Sequence, residues 1–178
     1  MAPTFEQEEE FILNLGKALV KWQGVEAAAY ALFRAFMKNA DPRLVSVTFH
    51  HIQSFSSAVL LLDRCAYFAI PDGPLKSRWQ GVKDKKKKNT GIKVRMDDQI
   101  KVRNRLVHFR YHTGMEQNHP VVSLGPSYFD ATYAIKDRWK NPDLRLDNNC
   151  LLETQRDFEL LAKDIAQLCA DFNEAMDE

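Results

Sequence analysis

From Phe11 to Phe36 the chain sets an apolar residue at alternating steps of four and three: Phe11, Leu15, Ala18, Trp22, Val25, Ala29, Leu32, Phe36. The same rhythm returns as Val45, Phe49, Ile52, Phe55, Val59, Leu62, Ala66, and again as Phe158, Leu161, Ile165, Leu168, Phe172, Met176. Side chains at that spacing share one face of an α-helix, so each stretch makes a helix with one apolar side that another helix must cover. The expectation is an all-α, up-and-down bundle of four to five helices crossing at about 20°. A chain of 178 residues, 45% of them hydrophobic, supports a single domain over 1–178.

Local signals place the ends of these helices. Thr4 with Gln7 three residues on reads as a capping box. Asp41-Pro42 starts a second helix that is expected to run to about Ala69, and Pro71-Asp72-Gly73-Pro74 breaks the chain after it. His50 and His51 are adjacent, so on a helix they point apart and read as ordinary surface histidines. A third helix from Leu75 carries Trp79 and Val82 and ends in a lysine run, with Asn89-Thr90-Gly91 as a turn. The next helix, with Asp97 or Asp98 in its first turn, leads through His108, and Tyr111 and His112 extend the face of His108. Periodicity then fails from Thr113 to Asn149. This irregular insertion reads as a long connection with a candidate hairpin between Val121–Leu124 and Ala131–Ile135. Its aromatics, Tyr128, Phe129, Tyr133 and Trp139, read as covering the bundle, with stacking on bases as the alternative. The last helix is expected to begin between Asn149 and Thr154.

The formal net charge of +1 hides a strong asymmetry, since the segment from Lys76 to Arg110 carries +10 and leaves −9 for the remainder. A basic block set against acidic ends is the footprint of a protein that meets phosphate on one side. Cys65, Cys150 and Cys169 have neither disulfide nor metal-ligand spacing, which fits a reducing cytoplasm and no metal site. No stretch approaches the roughly 18 apolar residues of a membrane span, and the acidic start MAPTFEQEEE lacks the basic region of a signal peptide. Neither G-x-x-x-x-G-K-[ST], G-x-G-x-x-G, G-x-S-x-G nor H-E-x-x-H occurs, so P-loop, Rossmann, hydrolase-elbow and zincin chemistry find no signal and no cofactor is indicated.

The basic block ends in Lys101-Val102-Arg103-Asn104-Arg105-Leu106-Val107-His108. On a helix, Asn104, Arg105 and His108 lie within about 60° of one another, whereas Arg103 is about 140° from His108. Arg103 falls on the stripe Met96, Ile100, Arg103, Val107, which otherwise reads as buried. A guanidinium there must reach round the helix edge, meet a carboxylate, or point into an interface with another molecule. Glu26, an acid beside the first apolar stripe, reads either as a charge at the surface edge or as the group that orients Arg103 or His108.

The string RNRLVH resembles the R-x4-6-H motif of HEPN domains (higher eukaryotes and prokaryotes nucleotide-binding), in which a polar residue, very often Asn, follows the Arg. The resemblance covers roughly Gln7 to Ala170, apart from 113–149. It implies a commonly dimeric helical bundle that cleaves RNA without a metal or other cofactor. Arg103, Asn104 and His108 then take the catalytic positions. Lys101, Arg105, Arg110, Tyr111 and the run Lys85, Lys86, Lys87, Lys88 would bind RNA, with Glu26 in support. Two copies with their motif helices face to face would account for Arg103 on an apolar stripe. A toxin or defence setting would add an antitoxin or regulatory protein as partner. Two other readings stand beside this one: a non-catalytic dimer of the same kind that binds RNA, a nucleotide or a partner protein, and a plain helical scaffold in which Arg103 pairs with Glu26.

Overall fold

The first helix begins with a reciprocal cap: the Thr4 amide donates to the Gln7 side-chain oxygen at 2.9 Å, and the Gln7 amide to the Thr4 hydroxyl at 3.3 Å. The computed structural model describes residues 3–81, 91–116, 119–125 and 146–177. Their elements run α1 (Phe5–Phe36), α2 (Pro42–His50), α3 (Phe55–Ala69), α4 (Pro74–Gln80), α5 (Ile92–His108), β1 (Arg110–Glu116), β2 (His119–Gly125) and α6 (Asn148–Asp177). The chain is thus an all-α bundle with one small antiparallel hairpin, and it has six helices among the described residues. None of them is long and apolar enough to cross a membrane.

Residues group into two compact units, Met1–Trp22 with Lys101–Asp157, and Gln23–Ile100 with Phe158–Glu178. The first is built from the start of α1, the end of α5, the hairpin and the start of α6. Phe11, Ala18, Trp22, Leu106, Val122, Leu124, Leu146 and Leu151 are buried in it. A polar seam joins its two long helices. Buried Asn14 donates to the Asn148 side chain at 2.8 Å, Asn148 donates to Glu10 at 3.0 Å, and Gln155 donates to the Asn14 carbonyl at 3.0 Å. Satisfying a buried amide in this way avoids the cost of about 1–3 kcal/mol for an unpaired group.

The second unit holds most of the large buried side chains. Its core takes Val25, Ala29, Leu32 and Phe33 from α1, Val45 and Phe49 from α2, and Val59, Leu62 and Ala66 from α3. Trp79, Ile92 and Met96 join them, as do Phe158, Leu161, Ile165, Leu168 and Phe172 of α6. The Phe33 and Phe49 rings lie 5.4 Å apart, and Phe36 meets Phe172 edge-on at 5.0 Å. The Trp79 indole N–H donates to Asp63 at 2.9 Å, so its polar end is paired even though the ring is buried.

Several sequence expectations change. The helix expected from Pro42 to Ala69 is two helices. Ser54 is extended (φ −132°, ψ 142°) and its hydroxyl accepts from the Ser57 amide at 3.1 Å, which starts α3 afresh. The third helix stops at Gln80 instead of entering the lysines, because Gly81 takes a positive φ of 81°. Because α5 starts at Ile92, Asp97 and Asp98 fall beyond its first turn, and Lys93 pairs with Asp97 at 3.0 Å. Tyr111 and His112 do not continue the helical face of His108, since the chain turns to strand at Arg110. The hairpin does contain Val121–Leu124, but its partner is β1, with Arg110 opposite Gly125 and Tyr111 opposite Leu124. α6 begins at Asn148, one residue earlier than expected, with the Asp147 carboxylate accepting from the Cys150 amide at 2.8 Å. Val82, Lys85 to Lys88, Asn89 and Thr90, Ala131–Ile135 and the aromatics Tyr128, Phe129, Tyr133 and Trp139 lie outside the described residues.

Candidate functional site

The motif occupies the last two turns of α5. Ile92, Met96 and Ile100 bury one side of that helix, and Leu106 continues the buried line in place of Val107, which is 46% exposed. The apolar stripe expected through Arg103 therefore turns aside before the helix ends. Arg105 and His108 sit in the final turn, where positive charge suits the negative end of the helix dipole.

Arg103 is half-buried. It donates from Nη1 to the Asn104 side-chain oxygen at 3.3 Å, while its Nε–H is buried without a partner. A buried donor left unpaired costs about 1–3 kcal/mol, and an incoming acceptor recovers it. Arg103 makes no ion pair among the described residues. Asn104 and His108 are exposed and Arg105 half-buried, and neither Arg105 nor His108 has a partner among the described residues. The structure therefore brings together Arg103 and Asn104, and sets His108 one turn beyond Asn104 with its ring in water.

The other expected site residues spread outward. Lys101 and Arg110 are exposed, with Arg110 opening β1. Tyr111 stands edge-on to Phe11 at 6.1 Å, and burial, followed by the nearby Glu8 carboxylate, holds its phenol above the usual range. Glu26 is half-buried and belongs to the second unit, whereas Arg103 and His108 belong to the first.

The sequence reading missed a cleft of about 340 Å³ lined by Ser77, Arg78, Gly81, Ile92, Arg95 and Asp164. Arg95 pairs with Asp164 at 2.6 Å and Arg78 pairs with Asp171. The two acids stand two turns apart on α6, so each cation is matched by a carboxylate. The cleft is charge-balanced, and its ion pairs tie α4 and α5 to α6. Both arginines fall inside the basic segment. The signal that could have set them apart from the other cations of that segment is the seven-residue spacing of their acidic partners.

Chemically, the motif offers a guanidinium with spare donors, an amide that touches it, and a solvent-facing imidazole. No three His, Cys, Asp or Glu side chains converge as metal ligands among the described residues. Cys65, Cys150 and Cys169 are free and half-buried, and burial pushes each thiol up. Compared with known proteins, the chain matches no family model, no curated protein and no solved structure.

Proposed function

We propose that the protein is a HEPN-type endoribonuclease that cuts RNA without a metal, acts in the cytoplasm, and works as a homodimer whose two motif helices share one cleft. The observation that carries this reading is Arg103, a half-buried guanidinium with an unpaired Nε–H on the same helix as His108, which is exposed and has no partner among the described residues. RNA supplies its own nucleophile. The 2′-oxygen bonds to the adjacent phosphorus as the bond from phosphorus to the 5′-oxygen breaks. One proton leaves the 2′-hydroxyl and one is delivered to the departing 5′-oxygen. Tethering makes the attack effectively unimolecular. His108 supplies the imidazole that transfers the protons. Arg103 binds the phosphate oxygens through its planar fork, and Asn104 orients that fork. Lys101, Arg105, Arg110, Tyr111 and the lysine run hold the RNA strand. On a single helix Arg103 and His108 point about 140° apart, which is the reason for a second copy at the cleft. The same divergence favours the alternative, a non-catalytic dimer in which the two groups make separate contacts to RNA, nucleotide or an antitoxin-like partner.

His108→Ala and Arg103→Ala should each abolish cleavage while leaving the fold intact, a loss of about 10²–10⁴-fold for removal of one acid-base group. Asn104→Ala should cost less, because an amide orients but transfers no proton at neutral pH. Products should end in a 2′,3′-cyclic phosphate or its hydrolysed form. Full activity in His108→Ala, or activity that EDTA removes, rejects the mechanism. A wild type inert on every RNA tried moves the conclusion to the binding module.

A further inference from the structure

The first part of α1 carries a second apolar face, turned away from the core. Phe5, Ile12, Leu13 and Val20 are 73%, 59%, 56% and 63% exposed. With Gly16 they fall within about 100° of helix circumference, on the far side from buried Phe11, Ala18 and Trp22. Ile12, Leu13, Gly16 and Val20 line a groove of about 470 Å³, with Lys17 and Gln155 at its rim. Apolar side chains clustered in this way on a surface mark a contact site. A methyl group at Gly16 would meet nothing within 4 Å, so no contact among the described residues requires the glycine, which costs about 1 kcal/mol in a helix. Its effect is to let another backbone come close.

The charges beside this face identify the occupant. Glu6, Glu10, Lys17 and Lys21 follow one edge of the stripe, with acids toward the start of the helix and bases further on. Glu6 and Lys17 have no partner among the described residues. Lay a second α1 antiparallel on the first. Glu10 then faces Lys17 of the other copy when the crossing point lies between Leu13 and Asn14, and the same register sets Glu6 opposite Lys21. One residue from that point, Phe5 meets Val20 and Ile12 meets Leu13. Glu9, inside the stripe, comes opposite Gly16 and Lys17, where the absent side chain leaves room. Because the contact is its own mirror under a twofold axis, every favourable pair occurs twice.

We infer that this face of α1 is a self-association surface, occupied by the α1 of a second copy of the chain in an antiparallel register centred near Leu13. The pairing uses neither Arg103 nor His108 and is independent of RNA cleavage. If the motif helices also pair, the two twofold contacts build a tetramer where their axes cross at right angles and an open chain otherwise; if they do not, α1 alone builds a dimer.

Light scattering on the full chain at micromolar concentration tests it, with circular dichroism as the check on folding. Leu13→Glu should lower the mass to that of a dimer if the motif helices pair, and to that of a monomer if they do not. Lys17→Glu should raise the dissociation constant at least tenfold, since it sets like charges together at two symmetric places. The exchange Glu10→Lys with Lys17→Glu should bring it back. Glu10→Gln keeps the acceptor for Asn148 and should fall between the wild type and Lys17→Glu. The inference is overturned if Leu13→Glu has the wild-type mass, as it would if the groove were covered by a segment of the same chain or by a different protein. It is equally overturned if the double exchange is no closer to wild type than Lys17→Glu alone.

Discussion

Gly91 is a position at which the fold tolerates no side chain. A Cβ there would lie 2.4 Å from the Gln80 carbonyl carbon and 2.4 Å from the Gly81 nitrogen. Both are backbone atoms and cannot rotate away. Gly91→Ala should therefore destabilise the protein by about 1–3 kcal/mol, the usual range for overpacking, read as a shift of the urea midpoint at unchanged slope. Unchanged stability would mean that the two segments separate easily. In the sequence Gly91 read only as a turn residue, because its contact lies with a residue eleven positions earlier. Arg103 was legible as an anomaly, a cation on an apolar stripe. What the sequence could not show was that the stripe swings to Leu106 and leaves the Arg103 Nε–H buried and unpaired.

Long helices were legible and their interruptions less so, for a definite reason. Val45 and Phe49 of α2 and Val59, Leu62 and Ala66 of α3 are all buried, with Ile52 and Phe55 half-buried between them. The apolar rhythm thus crosses the break unaltered, and only Ser54 marks it. Ser54→Ala should cost about 1 kcal/mol of stability by removing the cap on α3, while Ser54→Asp should keep most of it. Equal melting temperatures for the alanine and aspartate variants would show that the hydroxyl contributes nothing there. The hairpin was half visible. Val121–Leu124 read as a strand, but Tyr111 and His112 read as helix because they sit three and four residues beyond His108. Strand pairing with β2 outweighs that local spacing, as tertiary context commonly does.

Across the whole molecule, charge is the property most at odds with its total. The segment from Lys76 to Arg110 carries +10 in a chain of net +1, and part of that excess is already matched, as at Arg78 with Asp171 and Arg95 with Asp164. Lys85 to Lys88 are a different matter, since they stand as a run with one acid, Asp84, beside it. Changing these four lysines to serine should weaken RNA binding and flatten the dependence of log affinity on log salt. Each phosphate no longer neutralised removes about 0.7 from the slope for single strands. Measured affinity that does not change at low salt would assign the run no part in binding.

The near-contact of Gly81 with Gly91 bears on how this chain can change over time. Any connection between the two is a closed ring whose ends the fold already holds together. Closing such a ring grows costlier only with the logarithm of its length, by about 0.6 kcal/mol for each doubling. The nine residues 82–90 can thus be lengthened, shortened or rewritten in charge with little penalty to the helices on either side. The charge carried between the two glycines can therefore drift freely from one descendant of the chain to another, while the helical body that anchors both glycines stays the same.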